Sequence, residues 1–152
     1  MNLETSTADR YVRLAFGQML EVARRLGDDQ VNIRPHGPTT NTVAGLITHC
    51  CGVSEYWLGH VGLGRPSDRE RDGEFTRKAT VAMLEAAVEA TTRQITADLP
   101  AIERGAQSEF AEGRQFLVDR DRSDASLVMH VIEELFQHLG HIDLTADALL
   151  NP

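Results

Sequence analysis

Apolar residues recur at intervals of three and four along most of the chain, and clusters of Gly, Pro and Asp separate the stretches that carry this period. From about Ser6 to Leu26, the residues Val12, Ala15, Phe16, Met19, Ala23 and Leu26 form one stripe, with Arg13, Gln18, Glu21 and Arg24 on the other sides. This is the pattern of an amphipathic helix, which Gly27 is expected to stop. Pro35, Gly37 and Pro38 deny a helix to Asp28–Thr40, which reads as a connection across one end of the domain. Asn41 is the expected cap of a second helix with Val43, Leu46, Ile47, Cys50, Val53, Ser54, Trp57 and Leu58 on one broad face, ending near Gly62 or Gly64. Gly64 to Asp68 open a charged linker to about Thr76. A third helix then runs to about Leu99, before Pro100, on a thinner, alanine-rich stripe of Val81, Leu84, Val88 and Ile95. Ala101–Arg122 shows no clear period and reads as a long connection. The last helix begins at Ser123 or Asp124 and continues to Leu149, with Leu127, Val131, Leu135, Leu139 and Ile142 inward. No stretch alternates with period two for long enough to form a sheet. The expectation is an all-α protein, a four-helix bundle with two or three long connections, formed by a single domain over residues 1–152.

Composition narrows the partners. The 152 residues are 41% hydrophobic and 25% charged, enough apolar material for one sizeable core. With 15 Lys and Arg against 23 Asp and Glu, the net charge is -8, which gives no support to phosphate-neutralising contacts with nucleic acid or to an anionic membrane surface. No stretch approaches the ~20 apolar residues that span a bilayer, and Met1–Arg10 has no apolar core, so a cytoplasmic protein is expected. The two cysteines are adjacent, Cys50 and Cys51, where a mutual bridge would be strained and would staple no loop. They read as small core residues. An alanine-rich third helix of this kind is also expected to be covered by another copy in a homodimer.

The chemistry concentrates in the second and fourth helices. Glu134 and His138 lie four apart, so their side chains leave the helix along nearly one line, one turn from each other. Val131 and Ile142 place that line beside the apolar stripe, where an ionised carboxylate needs a cation or a metal. His49 falls between Leu46 and Val53, at the edge of the second helix's buried face. Two histidines and a glutamate from facing helices make a three-ligand set suited to zinc, with nickel or iron as alternatives. Each element also has a plainer reading: an isolated core histidine bonded to a backbone carbonyl, and a helical Glu–His pair. His141, three residues after His138, is a candidate to orient a metal-bound water or to act as acid or base, with a place facing a partner subunit as the plainer alternative. His130 reads as a packing residue, and His36 and His60 as surface residues. Tyr56 and Trp57 are either pocket walls or core aromatics, and Arg34 is either a contact for an anionic substrate or a solvated loop residue.

These residues resemble the DinB-like superfamily. Thr42-Val43-Ala44-Gly45-Leu46-Ile47-Thr48-His49, followed by Gly52-Val53-Ser54-Glu55-Tyr56-Trp57, is similar to its histidine-bearing second helix. Glu133-Glu134-Leu135-Phe136-Gln137-His138-Leu139-Gly140-His141 is similar to the E-E-x-x-x-H-x-G-H signature of the branch that includes mycothiol-dependent maleylpyruvate isomerase. Gln30–Pro35 and Gly64-Arg65-Pro66 fit as well. The resemblance implies a bundle holding a divalent metal through His49, Glu134 and His138, in a His-Glu-His variant of the superfamily site. It also implies thiol chemistry in which the metal lowers the pKa of a small thiol such as mycothiol. The isomerase carries a further C-terminal domain that contributes to its active site, whereas this sequence stops at Pro152, so maleylpyruvate isomerisation itself is not expected.

The leading expectation is therefore a transferase or isomerase acting on a small thiol and an electrophile. A non-catalytic metal-binding bundle and a metal-dependent hydrolase need the same three ligands, and sequence alone does not separate them.

Overall fold

The computed structural model describes residues 3–104, 116–118 and 123–151. Four long helices carry the fold: α1 (Thr5–Gln30), α2 (Val43–Ser54, prolonged by a π-helical segment, Glu55–Gly62), α4 (Val81–Glu103) and α5 (Asp124–Leu150). A single short turn of helix, α3 (Arg71–Glu74), lies in the linker before α4. Among the described residues there is no strand. α1 packs on α4 and α5, and so does α2, which places α1 and α2 at opposite corners of the bundle. The all-α bundle expected from the periodicity is the fold observed. Every apolar position assigned to the stripes of α1 and α5 is buried, with Ala15, Met19, Leu127, Leu135 and Ile142 fully enclosed.

Helix boundaries differ from the sequence reading where tertiary bonds override local signals. Gly27 does not end α1: its φ of 68° bends the chain, and a further turn continues to Gln30. That conformation is open to glycine at little cost. The turn is retained because the fully buried Val31 anchors it and the Val31 carbonyl accepts the Ala44 N–H at 2.9 Å. The cap of α2 is Thr42, one residue after Asn41, since the Thr42 hydroxyl is the group that reaches the Gly45 N–H, at 2.9 Å. α4 starts five residues later than Thr76. Asn32 exchanges two hydrogen bonds with the backbone of Ala79, at 2.9 and 3.0 Å, holding the chain extended up to the Thr80 cap. Pro100 lies inside α4, not beyond it. In the last turn it costs only the N–H that would have met Thr96, and the buried Leu99 and Ile102 keep the turn docked. Most of the expected connection 101–122 lies outside the described residues. Of the rest, Ala101–Glu103 complete α4, and Leu117 is buried against Val61 and Leu127.

The charged linker after α2 is tied down by ion pairs. Arg65 bonds Asp98 of α4 at 2.5 Å and Glu55 at 2.7 Å, and the Asp98 carboxylate is buried. Gly59 lets the linker approach this closely: a β-carbon there would stand 2.3 Å from the Arg65 guanidinium.

A histidine-glutamate-histidine site between two helices

His49 is set by α2, while Glu134 and His138 are set by α5 one turn apart, and the packing of α2 on α5 brings them together. One ligand atom from each of the three lies within 4.8 Å of the other two. The two imidazoles meet edge to face, 4.7 Å between centroids, and His138 Nε2 stands 3.5 Å from Glu134 Oε2. His49 is almost completely enclosed, at 2% exposure, whereas His138 and Glu134 are half-buried.

The two histidines differ in their partners. His49 Nδ1 lies 2.8 Å from Glu74 Oε2, and Phe75 stacks on the ring at 4.4 Å. His138 Nδ1 is buried and has no hydrogen-bond partner among the described residues. A buried polar atom in that state costs about 1–3 kcal/mol. The donor chemistry, two imidazoles and one carboxylate with a ring nitrogen lacking a protein partner, fits a divalent cation.

Burial, followed in His138 by the neighbouring His49, lowers the pKa of both imidazoles from the ordinary histidine value. In His49 burial outweighs the opposing pull of Glu74. Both rings are thereby biased to the neutral form, the form that donates a lone pair. Burial raises the pKa of the Glu74 carboxyl, but the hydrogen bonds from Arg69 and His49 outweigh it, and the net direction is down.

A cavity of about 330 Å³ opens on this cluster, lined by His49, Val53, Tyr56, Trp57, Arg69, Arg71, Phe116, His130 and Glu134. Tyr56 and Trp57 are thus pocket walls. His130 packs its ring edge to face on Trp57, 4.5 Å between centroids, in keeping with a packing residue, and it is not part of the three-residue cluster. His141 is exposed on α5, its ring 5.5 Å from that of His138. His36 is exposed, but His60 is half-buried, with Nδ1 2.7 Å from the Arg65 carbonyl oxygen, and so is not a surface residue. Arg34 does not line the cavity: it is half-buried, and its guanidinium donates to the backbone carbonyls of Pro38, Thr40 and Phe75. Cys50 is fully buried. Burial holds its thiol well above the usual range and raises that of Cys51 to about 11, which removes both from thiolate chemistry at neutral pH.

The sequence reading missed Glu74, Arg69 and Phe75, all in the stretch taken as a charged linker. The available signal was the buried position expected for His49, since an enclosed imidazole needs a partner for its second nitrogen.

Comparison with known protein families matches residues 9–149 to the family described as MST, Mycothiol-S-transferase. Comparisons with curated proteins and with solved structures gave no match.

Proposed function

Because the chain belongs to the mycothiol-S-transferase family, we propose that it transfers a small thiol of the mycothiol type to an electrophile, with a divalent metal held by His49, Glu134 and His138. What supports the metal is the convergence of three ligand atoms to within 4.8 Å of one another, with two of the three residues, His49 and Glu134, lining a cavity. A bound divalent cation supplies one thing, a lowered pKa for the thiol it coordinates, so that the thiol is present as thiolate at neutral pH.

The protein's own groups do the rest. His49 and His138 contribute neutral lone pairs and Glu134 a single negative charge, leaving a net positive site that favours a thiolate over a thiol. Three protein ligands are one fewer than the closed tetrahedral set of a structural zinc, in keeping with a site that admits a substrate. Val53, Tyr56 and Trp57 give the cavity an apolar wall, beside which the electrostatic pull on a thiolate is stronger than in bulk water. His141, exposed and one turn beyond His138, passes the released proton to solvent. Zinc is the first choice of metal for this donor set.

The test is elemental analysis of the purified protein together with a thiol-consumption assay on a reactive electrophile. About one divalent ion per chain, with both metal and turnover lost in His138→Ala, is the expected result. A folded His138→Ala that keeps its metal contradicts the assignment.

A further inference from the structure

His49 is nearly fully enclosed and carries Phe75 against one face of its ring, so its orientation is fixed by protein contacts. At Nδ1 two side chains compete: Glu74 Oε2 at 2.8 Å and Arg69 Nη2 at 3.3 Å. A guanidinium has only donors, so it cannot accept an imidazole proton, whereas an ionised carboxylate has only acceptors. Arg69 instead grips the carboxylate with two bonds, Nε to Oε1 at 2.7 Å and Nη2 to Oε2 at 2.9 Å. The pair is therefore oriented as Arg69 donating to Glu74, and Glu74 accepting from His49.

A second observation shows that the backbone makes room for this arrangement. Gly52 lies one turn beyond His49 on α2, and a β-carbon there would stand 2.0 Å from Glu74 Oε1 and 3.2 Å from Arg69 Nε. The Glu74 side chain has no easy way to move aside, because Arg69 and His49 hold both of its oxygens. The following residue is held too: Arg34 donates to the Phe75 carbonyl at 3.1 Å, and Gly45 allows that carbonyl close to α2.

We propose that Glu74, clamped by Arg69 and admitted by the bare backbone of Gly52, is the positioning residue for His49: its carboxylate accepts the hydrogen bond of Nδ1–H, which keeps the proton on Nδ1 and leaves the Nε2 lone pair as the ligand. The linker from Arg69 to Phe75 is thus part of the site's construction, selecting one of the two neutral tautomers before any ligand arrives. Only the affinity arm of the test below rests on the metal reading.

The test uses the full chain. In metal-free wild-type protein, nitrogen NMR of labelled histidine should give His49 in the Nδ1–H form, and Glu74→Ala should shift it toward the other tautomer. Zinc affinity, measured by competition with a coloured chelator, should fall about 10–100-fold in Glu74→Ala. Gly52→Ala, which displaces the carboxylate without altering its chemistry, should weaken affinity in the same direction. Glu74→Gln keeps the shape and an oxygen acceptor, so it should fall between wild type and Glu74→Ala and covers the case in which the alanine variant does not fold. An Nε2–H tautomer in the wild type, or wild-type zinc affinity in folded Glu74→Ala and Gly52→Ala, overturns the proposal. If wild-type protein binds no zinc, the metal reading falls, while the tautomer measurement still decides the role of Glu74.

Discussion

His49 and His138 meet edge to face at 4.7 Å, yet their Nδ1 atoms are treated in opposite ways: one lies 2.8 Å from Glu74, the other is buried with no partner among the described residues. Of two rings packed against each other between α2 and α5, one therefore has its Nδ1 fixed and the other has its Nδ1 unsatisfied. This asymmetry is hard to reconcile with a purely structural pair of core histidines, which would each be expected to find a partner.

The first prediction separates the two ligand histidines from their neighbour. His49→Ala and His138→Ala should each lose bound zinc, whereas His130→Ala, whose ring packs on Trp57, should retain it. Elemental analysis after gel filtration checks this, with circular dichroism to confirm that each variant is folded.

Thiol labelling tests the environment of the cysteines. With Cys51 raised to about 11, roughly one part in a thousand is thiolate at pH 8, and burial holds Cys50 well above the usual thiol range as well. Because deprotonation is the unfavourable step, iodoacetamide labelling of the native protein should be very slow at pH 8 and quicken as the pH is raised toward 11. Unfolding in urea should release both cysteines at the ordinary thiol rate. Rapid labelling of native protein at pH 8 contradicts the assigned burial.

Arg65 should matter for stability and not for metal. Its removal leaves the buried Asp98 carboxylate without its guanidinium partner, and of its partners among the described residues the Gln94 amide remains, at 2.9 Å. Arg65→Ala should lower the unfolding free energy by about 1.5–3 kcal/mol, the range for a lost hydrogen bond to a charged group. Urea denaturation gives the number, and unchanged zinc affinity should accompany it.

If His141 passes protons to solvent, its loss is a kinetic defect. His141→Ala should keep the metal and turn over more slowly, by less than the about 10²–10⁴-fold of an enclosed general acid or base, because solvent and buffer reach the same place. Added imidazole should restore part of the rate. A variant with wild-type turnover removes His141 from the reaction.

Much of this was legible in the residues themselves. The stripes of α1 and α5 are long and strictly periodic, so the bundle followed from Val12 to Leu26 and from Leu127 to Ile142. The line shared by Glu134 and His138 followed from their four-residue spacing. The same logic could not reach Glu74. Flanked by Glu70, Arg71 and Asp72, it carries the local pattern of a solvated linker, and only the tertiary approach through Gly52 makes it a buried partner of His49. Pro100 and Thr76 misled for a related reason. Local signals set helix ends only where no tertiary bond opposes them, and here Ile102 and the Asn32–Ala79 pair do.

The central claim, a metal between α2 and α5 that binds the thiol to be transferred, is tested most directly by cobalt substitution. Cobalt-loaded protein should develop a sulfur-to-metal charge-transfer band when mycothiol is added, and His49→Ala, Glu134→Ala and His138→Ala should show none. A cobalt spectrum that mycothiol leaves unchanged, in protein that binds one cobalt per chain, contradicts the claim.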